Sequence, residues 1–368
     1  METIAIGDAC EVLNGYAFKS EKYTSSGIRI IRIANVQKGY IEDNSPVFYP
    51  IDSGGLEKYM LREGDLLVSL TGNVGRTALL TEDMLPAALN QRVACLRLKT
   101  NKITNRFLFH LLNSNYFESK CIQSSQGVAQ KNMSTEWLKS YELPLYSLSK
   151  QNEIAKILDD ARNIIILKEQ ELQKYDELIK ARFIEMFGNL PEDFKHDAVE
   201  LGSIADVISG GTPSSKHPEY YGDKYPFVTT PCLGSNYISE NDAVNWLSDL
   251  GVEKSSTHII PAYSVMYGSR VGVGKSSINT CEMCTNQDIL SFYNIDTSTY
   301  DLLFIKKVMD QYFEYIDMQK RGSTIKGVPS DVVKAIRIPL VPIEEQKLFA
   351  AFAEQSDKSK YDDMYIRF

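Results

Sequence analysis

One half of this chain restates the other. Gly7 and Gly15 return as Gly202 and Gly210, each 195 residues on (202 − 7 and 210 − 15). Asn90-Gln91 and Tyr116-Phe117 return as Asn286-Gln287 and Tyr312-Phe313 at 196 (286 − 90 and 312 − 116). Leu143-Pro144-Leu145 and Gln151 return as Ile338-Pro339-Leu340 and Gln346, again at 195 (339 − 144 and 346 − 151). Solenoids repeat every 20 to 50 residues or so; a period this long means two whole domains of one ancestry. Whatever fold the chain adopts is built twice, and two similar domains suit a target that is itself in two parts.

A long helix is predicted between the copies, from Ser149 to Phe187. Stepping by four and three from Ile154 gives Leu158, Ala161, Ile165, Lys168, Leu172, Tyr175, Ile179, Arg182 and Met186, apolar at all but two positions and free of Gly and Pro. That is a coiled-coil seam with solvated outer faces, stopped by Gly188 and Pro191. Such a seam needs a partner. The repeat offers one in a shorter second helix from Ile343 to Phe368, whose apolar positions include Phe349 and Phe352. The expected division is 1–147, a first domain; 148–190, the central helix; 191–341, a second domain; and 342–368, the second helix. Short β-rich runs mark both domains, at 28–33 and 65–70 and again at 227–230 and 263–267, with a helix near 104–113 and 300–313.

Charge limits the ligand. The chain has 40 Lys and Arg against 48 Asp and Glu, a net charge of −8. Neither domain is strongly basic, so tight binding to duplex DNA by this chain alone would be surprising, because affinity for duplex comes largely from neutralised phosphates. A partner would have to supply much of the positive charge. The six cysteines are scattered. Cys281 and Cys284 have metal-ligand spacing but no second pair, so reduced thiols are expected and no metal. Without a long apolar run or a basic, apolar start, the expected location is cytoplasmic.

Gly274-Lys275-Ser276 resembles a phosphate loop, but Ser269 stands where that motif needs Gly, and Ser277-Ile278-Asn279 does not read as a helix start. Val74-Gly75-Arg76 in the other copy shows what is shared: a glycine loop carrying a cation, Arg76 or Lys275, that is either a plain hairpin or a contact to phosphate or guanine. Asn90-Gln91 and Asn286-Gln287 can pair with adenine or close a local turn, and the turn is favoured, since base readers should differ between domains that read different sequences. By that logic their divergent neighbours Arg92 and Asp288 are better specificity candidates. The loops around Gln130-Lys131 and Lys326 are polar, glycine-bearing and basic. Arg32, Thr212, Lys216, Thr229 and Arg270 complete the candidate DNA contacts. The four histidines have no counterparts at the repeat offset, and nothing in the residues forms a catalytic constellation or calls for a cofactor.

Ser209-Gly210-Gly211-Thr212-Pro213-Ser214, Gly322 to Val328, and Ile338 to Gln346 leading into a helix, echoed by Leu143 to Gln151, occur in an order that resembles the specificity subunits of Type I restriction-modification systems. The resemblance implies an α+β fold: two β-rich target-recognition domains joined by long helices in an antiparallel coiled coil, related by a pseudo-twofold. It implies a non-catalytic subunit that reads a bipartite site on double-stranded DNA and docks two methyltransferase subunits, with a restriction and translocation subunit as a further partner. Ile154, Leu158, Ala161, Ile165, Leu172, Tyr175, Ile179, Phe349 and Phe352 are then the candidates for the helix pair and for partner docking. A DNA-modifying enzyme with its own active site and a coiled-coil adaptor that binds only protein are the alternatives.

Overall fold

The computed structural model describes residues 2–125, 132–322 and 327–365. The chain is α+β and divides into two units, Met1–Ile166 and Leu167–Phe368. The division falls inside the central helix, Leu148–Phe187, so each unit holds one end of it.

In the first unit an antiparallel sheet runs in the order Cys10–Asn14, Val93–Leu98, Leu66–Ser69, Thr77–Leu79. A second sheet joins Phe48–Tyr49, Ile28–Ile31 and Ala87–Leu89, the last two parallel. Thr3–Ala5 pairs with Glu142–Pro144, which ties the start of the domain to the residues that lead into the central helix. The second unit repeats the plan with one more strand in each of the two sheets. Asp206–Ser209, Ile289–Tyr293, Val265–Gly268, Ser276–Asn279 and Tyr237–Ile238 form one sheet, and Asn245–Leu247, Tyr221–Val228, Met283–Thr285 and Ile259–Ile260 the other. Ala198–Glu200 pairs with Arg337–Pro339 as Thr3–Ala5 does with Glu142–Pro144. Ser276–Asn279 is a strand, which removes the phosphate-loop reading because no helix follows Lys275.

The repeat holds at the level of single hydrogen bonds. The Tyr16 amide donates to the Leu89 carbonyl at 2.8 Å, and the Gly211 amide to the Thr285 carbonyl at 2.9 Å. At this crossing a Cβ on Gly15 would lie 2.2 Å from the Asn90 carbonyl carbon, and one on Gly210 would lie 2.2 Å from the Thr285 oxygen. Glycine recurs because the backbones touch.

Each long helix is stapled to its own domain by a buried glutamine. Gln151 accepts from the Thr104 amide at 2.8 Å and donates to the Lys102 and Tyr146 carbonyls, both at 2.8 Å. Gln346 accepts from the Asp301 amide at 2.9 Å and donates to Thr299 at 3.0 Å and Val341 at 2.9 Å. All of the amide's main-chain partners are thus satisfied inside the protein, which is what its burial requires.

The apolar ends of the central helix go into cores. Ala155 is buried in the first unit, with Ile154 against it. Ile179, Phe183 and Phe187 are buried in the second, where Phe183 and Phe187 meet Phe349 of the helix Ile343–Tyr365 at 5.4 and 5.5 Å between ring centres. The helix stops at Gly188, whose φ of +98° and close approach to the Asp193 carbonyl exclude a side chain.

Candidate nucleic-acid interface

Two segments that carry candidates converge at one end of the main sheet in each unit. In the first, the Leu70 amide donates to the Arg92 carbonyl at 3.0 Å, joining the hairpin after Leu66–Ser69 to the Asn90–Arg92 turn. The Met133 amide donates to Leu70 at 2.8 Å, so the segment that begins at Asn132 lies on the same hairpin. In the second unit the matching bonds are Ser269 to Asp288 at 2.8 Å and Val328 to Ser269 at 2.7 Å. The hairpins correspond at 199 (268 − 69 and 275 − 76), since Ser69 donates to Arg76 as Gly268 donates to Lys275. The second unit has therefore gained residues before its hairpin and lost the excess after it.

Arg32, Asn90, Gln91 and Arg92 come together on an open cleft of about 270 Å³ in the first unit. Gln91 and Arg92 are exposed there. Asn90 closes the turn, its side-chain oxygen taking the Arg92 amide at 3.3 Å and its carbonyl the Val93 amide at 3.0 Å. Arg32 is partly spoken for: its guanidinium donates to the Ser45 carbonyl at 2.7 Å. Arg76 is placed differently from the expectation. It is half-buried and its guanidinium donates to Gln37, so the side chain pins the segment after Ile33–Asn35 instead of extending into solvent.

In the second unit Arg270 lies with Ser209, Ser269, Arg321 and Val328 around a cleft of about 470 Å³. Arg321 did not stand out in the sequence, because its only signal is a lone cation beside Gly322. Asn286 is buried and closes its turn, while exposed Gln287 accepts from the Thr212 hydroxyl at 2.5 Å. Lys275 is exposed on its hairpin. Lys216 is exposed on a loop, and Thr229 is half-buried with its hydroxyl 4.0 Å from the Cys232 sulfur, neither of them joining the Arg270 cleft. Gln130, Lys131 and Lys326 lie outside the described residues.

The glycine side of each hairpin faces protein: a Cβ on Gly75 would meet Cys121, and one on Gly274 would meet Phe313. The buried thiols are not prepared for chemistry. Burial pushes the Cys10 and Cys121 thiols up to about 12 and Cys284 to about 11, far above the range of a reactive thiolate.

The seam candidates separate into two groups. Ile179 and Phe349 are buried, and Ile154 and Phe352 half-buried, all within the units' own cores, which takes the buried pair out of any partner surface. Leu158 and Ile165 are 42% and 57% exposed, Ala161 is exposed, and Leu172 and Tyr175 are half-buried. Ile157, Ile164, Leu167 and Leu178 are exposed beside them.

The sequence matches the family model of the Type I restriction modification DNA specificity domain twice, over residues 1–175 and 191–362. It is 25% identical to the putative type I restriction enzyme MjaX specificity subunit of Methanocaldococcus jannaschii, over 95% of this chain and 85% of that protein. It is 34% identical to the type I restriction enzyme EcoAI specificity subunit of Escherichia coli over 43% of this chain, a match that spans only 28% of that relative. The Type-I restriction-modification S subunit of M. genitalium has a like fold, with a TM-score of 0.53 at 13% identity, covering 98% of this chain and 90% of that one. A chain from a solved type I R-M system gives the same TM-score of 0.53 at 18% identity, covering 98% and 91%.

Proposed function

The chain belongs to the Type I restriction modification DNA specificity family, and from that premise we propose that it is the non-catalytic DNA-recognition subunit of a Type I restriction-modification complex. One observation carries the reading: the same turn-and-hairpin frame is built twice, and each copy presents, beside a shared exposed glutamine, an exposed arginine at a different position of the frame. Arg92 with Gln91 in the first unit and Arg270 with Gln287 in the second are side chains able to read base edges in the major groove. Each unit takes one half of a bipartite site on double-stranded DNA. Because the chain is acidic overall, with a net charge of −8, phosphate neutralisation comes from partner subunits. Two methyltransferase subunits fill that role, and a restriction and translocation subunit joins the complex. The exposed apolar stretch of the central helix, with Leu158 and Ile165, is the surface that supports such docking.

The helix also acts as a spacer. Its 40 residues extend about 60 Å at roughly 1.5 Å per residue, and its two ends are anchored in different cores. The reading is tested by selecting bound duplexes from a randomised DNA pool with the chain assembled with its methyltransferase subunits. A two-part motif with an unread gap is expected; recovery of no sequence preference would overturn it.

A further inference from the structure

We infer that Arg270, held by Asp288, reads a guanine in the half-site of the second unit, and that the first unit carries the transposed cation on Arg92. The inference rests on the DNA-reading function proposed above and assigns one contact within it. Arg270 Nη1 lies 3.7 Å from Asp288 Oδ1, with the arginine side chain 53% exposed and the aspartate 14%. Asp288 is fixed from behind: its carbonyl accepts from the Ser269 amide at 2.8 Å and hydroxyl at 3.1 Å, and its carboxylate receives Asn286 Nδ2 at 3.4 Å. The acid is anchored while the guanidinium points outward.

Another arginine–aspartate pair in the same chain shows what a purely structural one looks like. Arg97 donates to both oxygens of Asp65, at 2.9 and 2.6 Å, and that aspartate is 4% exposed. Its carboxylate is taken up by the arginine and by the Arg62 amide at 2.8 Å. Among the described residues no hydrogen bond takes up the side-chain donors of Arg270, so the carboxylate attracts the fork by charge alone at 3.7 Å and leaves its edge free. A fork of this kind fits O6 and N7 of guanine with two parallel bonds.

The repeat supplies the control. The bond from Ser269 to Asp288 matches that from Leu70 to Arg92, so Thr71 stands in the place of Arg270 and Arg92 in the place of Asp288. The same frame closes without an acid and without this ion pair. The pair is therefore not required by the backbone, and its charges are those of a surface that meets a ligand. A lone Asp288 there would repel DNA; with Arg270 beside it, the acid becomes a positioning residue.

The test uses the chain assembled with its methyltransferase subunits and a randomised duplex pool. The wild type should return a guanine in the second unit's half-site. Arg270→Ala should lower preference at that one position by about 5- to 150-fold, which is 1 to 3 kcal/mol of discrimination, and leave the other half-site intact. Asp288→Asn should weaken preference at the same position by a smaller factor, and Asp288→Glu should restore it. Uniform loss across all duplexes, an unchanged motif, or a second half-site without guanine would each overturn the inference. A wild type that selects no motif would instead remove the DNA-reading function itself.

Discussion

In the first unit a turn of Asn90, Gln91 and Arg92 sits against a hairpin bearing Thr71; in the second, Asn286, Gln287 and Asp288 sit against one bearing Arg270. The backbone bonds of the two turns agree to within a few tenths of an ångström, Val93 to Asn90 at 3.0 Å and Ile289 to Asn286 at 3.2 Å. At the third turn position the charge reverses, from Arg92 to Asp288, and on the hairpin neutral Thr71 is replaced by Arg270. Identity persists at the glycines and in the Asn-Gln pair of the turn, and it lapses at the next turn residue and on the hairpin. The difference marks Arg92, Asp288, Thr71 and Arg270 as positions released from the frame.

The comparison breaks most sharply at the shared glycines. Gly15→Val and Gly210→Val each drive a side chain into a carbonyl group about 2.2 Å away, and each should cost its own unit more than about 4 kcal/mol, in the class of severe core defects. Denaturant unfolding should show both units hit alike. A mild effect in either would mean that the crossing is not common to both.

The glutamine staples come next. Gln151→Leu and Gln346→Leu each strand one buried amide and two carbonyls, for a loss of roughly 3 kcal/mol once water relieves part of the penalty. Equal loss in both variants, read from urea midpoints, extends the equivalence to the helix junctions.

Much of this frame was legible in the sequence. The central helix expected at Ser149–Phe187 runs Leu148–Phe187, because a long uninterrupted apolar period ending at Gly188 leaves few alternatives. The repeat located the matching glycines and glutamines before any contact was known. What the residues could not disclose was non-local. Parallel pairing of Ile28–Ile31 with Ala87–Leu89 joins segments far apart in sequence. Arg76 reads as a loop cation until its partner Gln37, 39 residues earlier, is known. The seam likewise gave no sign that Ile179 belongs to a domain core, since periodicity reports a buried face and not what buries it.

A smaller effect separates the two hairpin cations. Lys275→Ala should reduce the slope of log affinity against log salt by about one, as expected for one lost phosphate contact, with affinity falling similarly on all duplexes. Arg76→Ala should leave the slope unchanged, because that guanidinium is occupied by Gln37. Equal slope changes in both variants would show that Arg76 leaves Gln37 to reach DNA.

The smallest effect is a titration confined to the first unit. Burial tends to raise the Asp159 carboxyl, but hydrogen bonds from His110, at 2.7 Å, and Arg106 outweigh it and hold the group below the usual aspartate range. A depressed carboxylate stabilises fully above its unfolded value of about 3.9 and loses that contribution as pH falls through the folded one. Unfolding midpoints should drop as pH falls below about 4, and Asp159→Asn should flatten that part of the profile. An identical profile in the variant would assign the acid sensitivity elsewhere.

On the proposed function, each unit reads its own half-site independently on a common frame. Exchange of residues 1–147 for the matching domain of a relative, followed by duplex selection with the assembled complex, tests this most directly. The result expected is a motif in which one half-site changes while the other half-site and the gap between them persist. A change in both half-sites would contradict it.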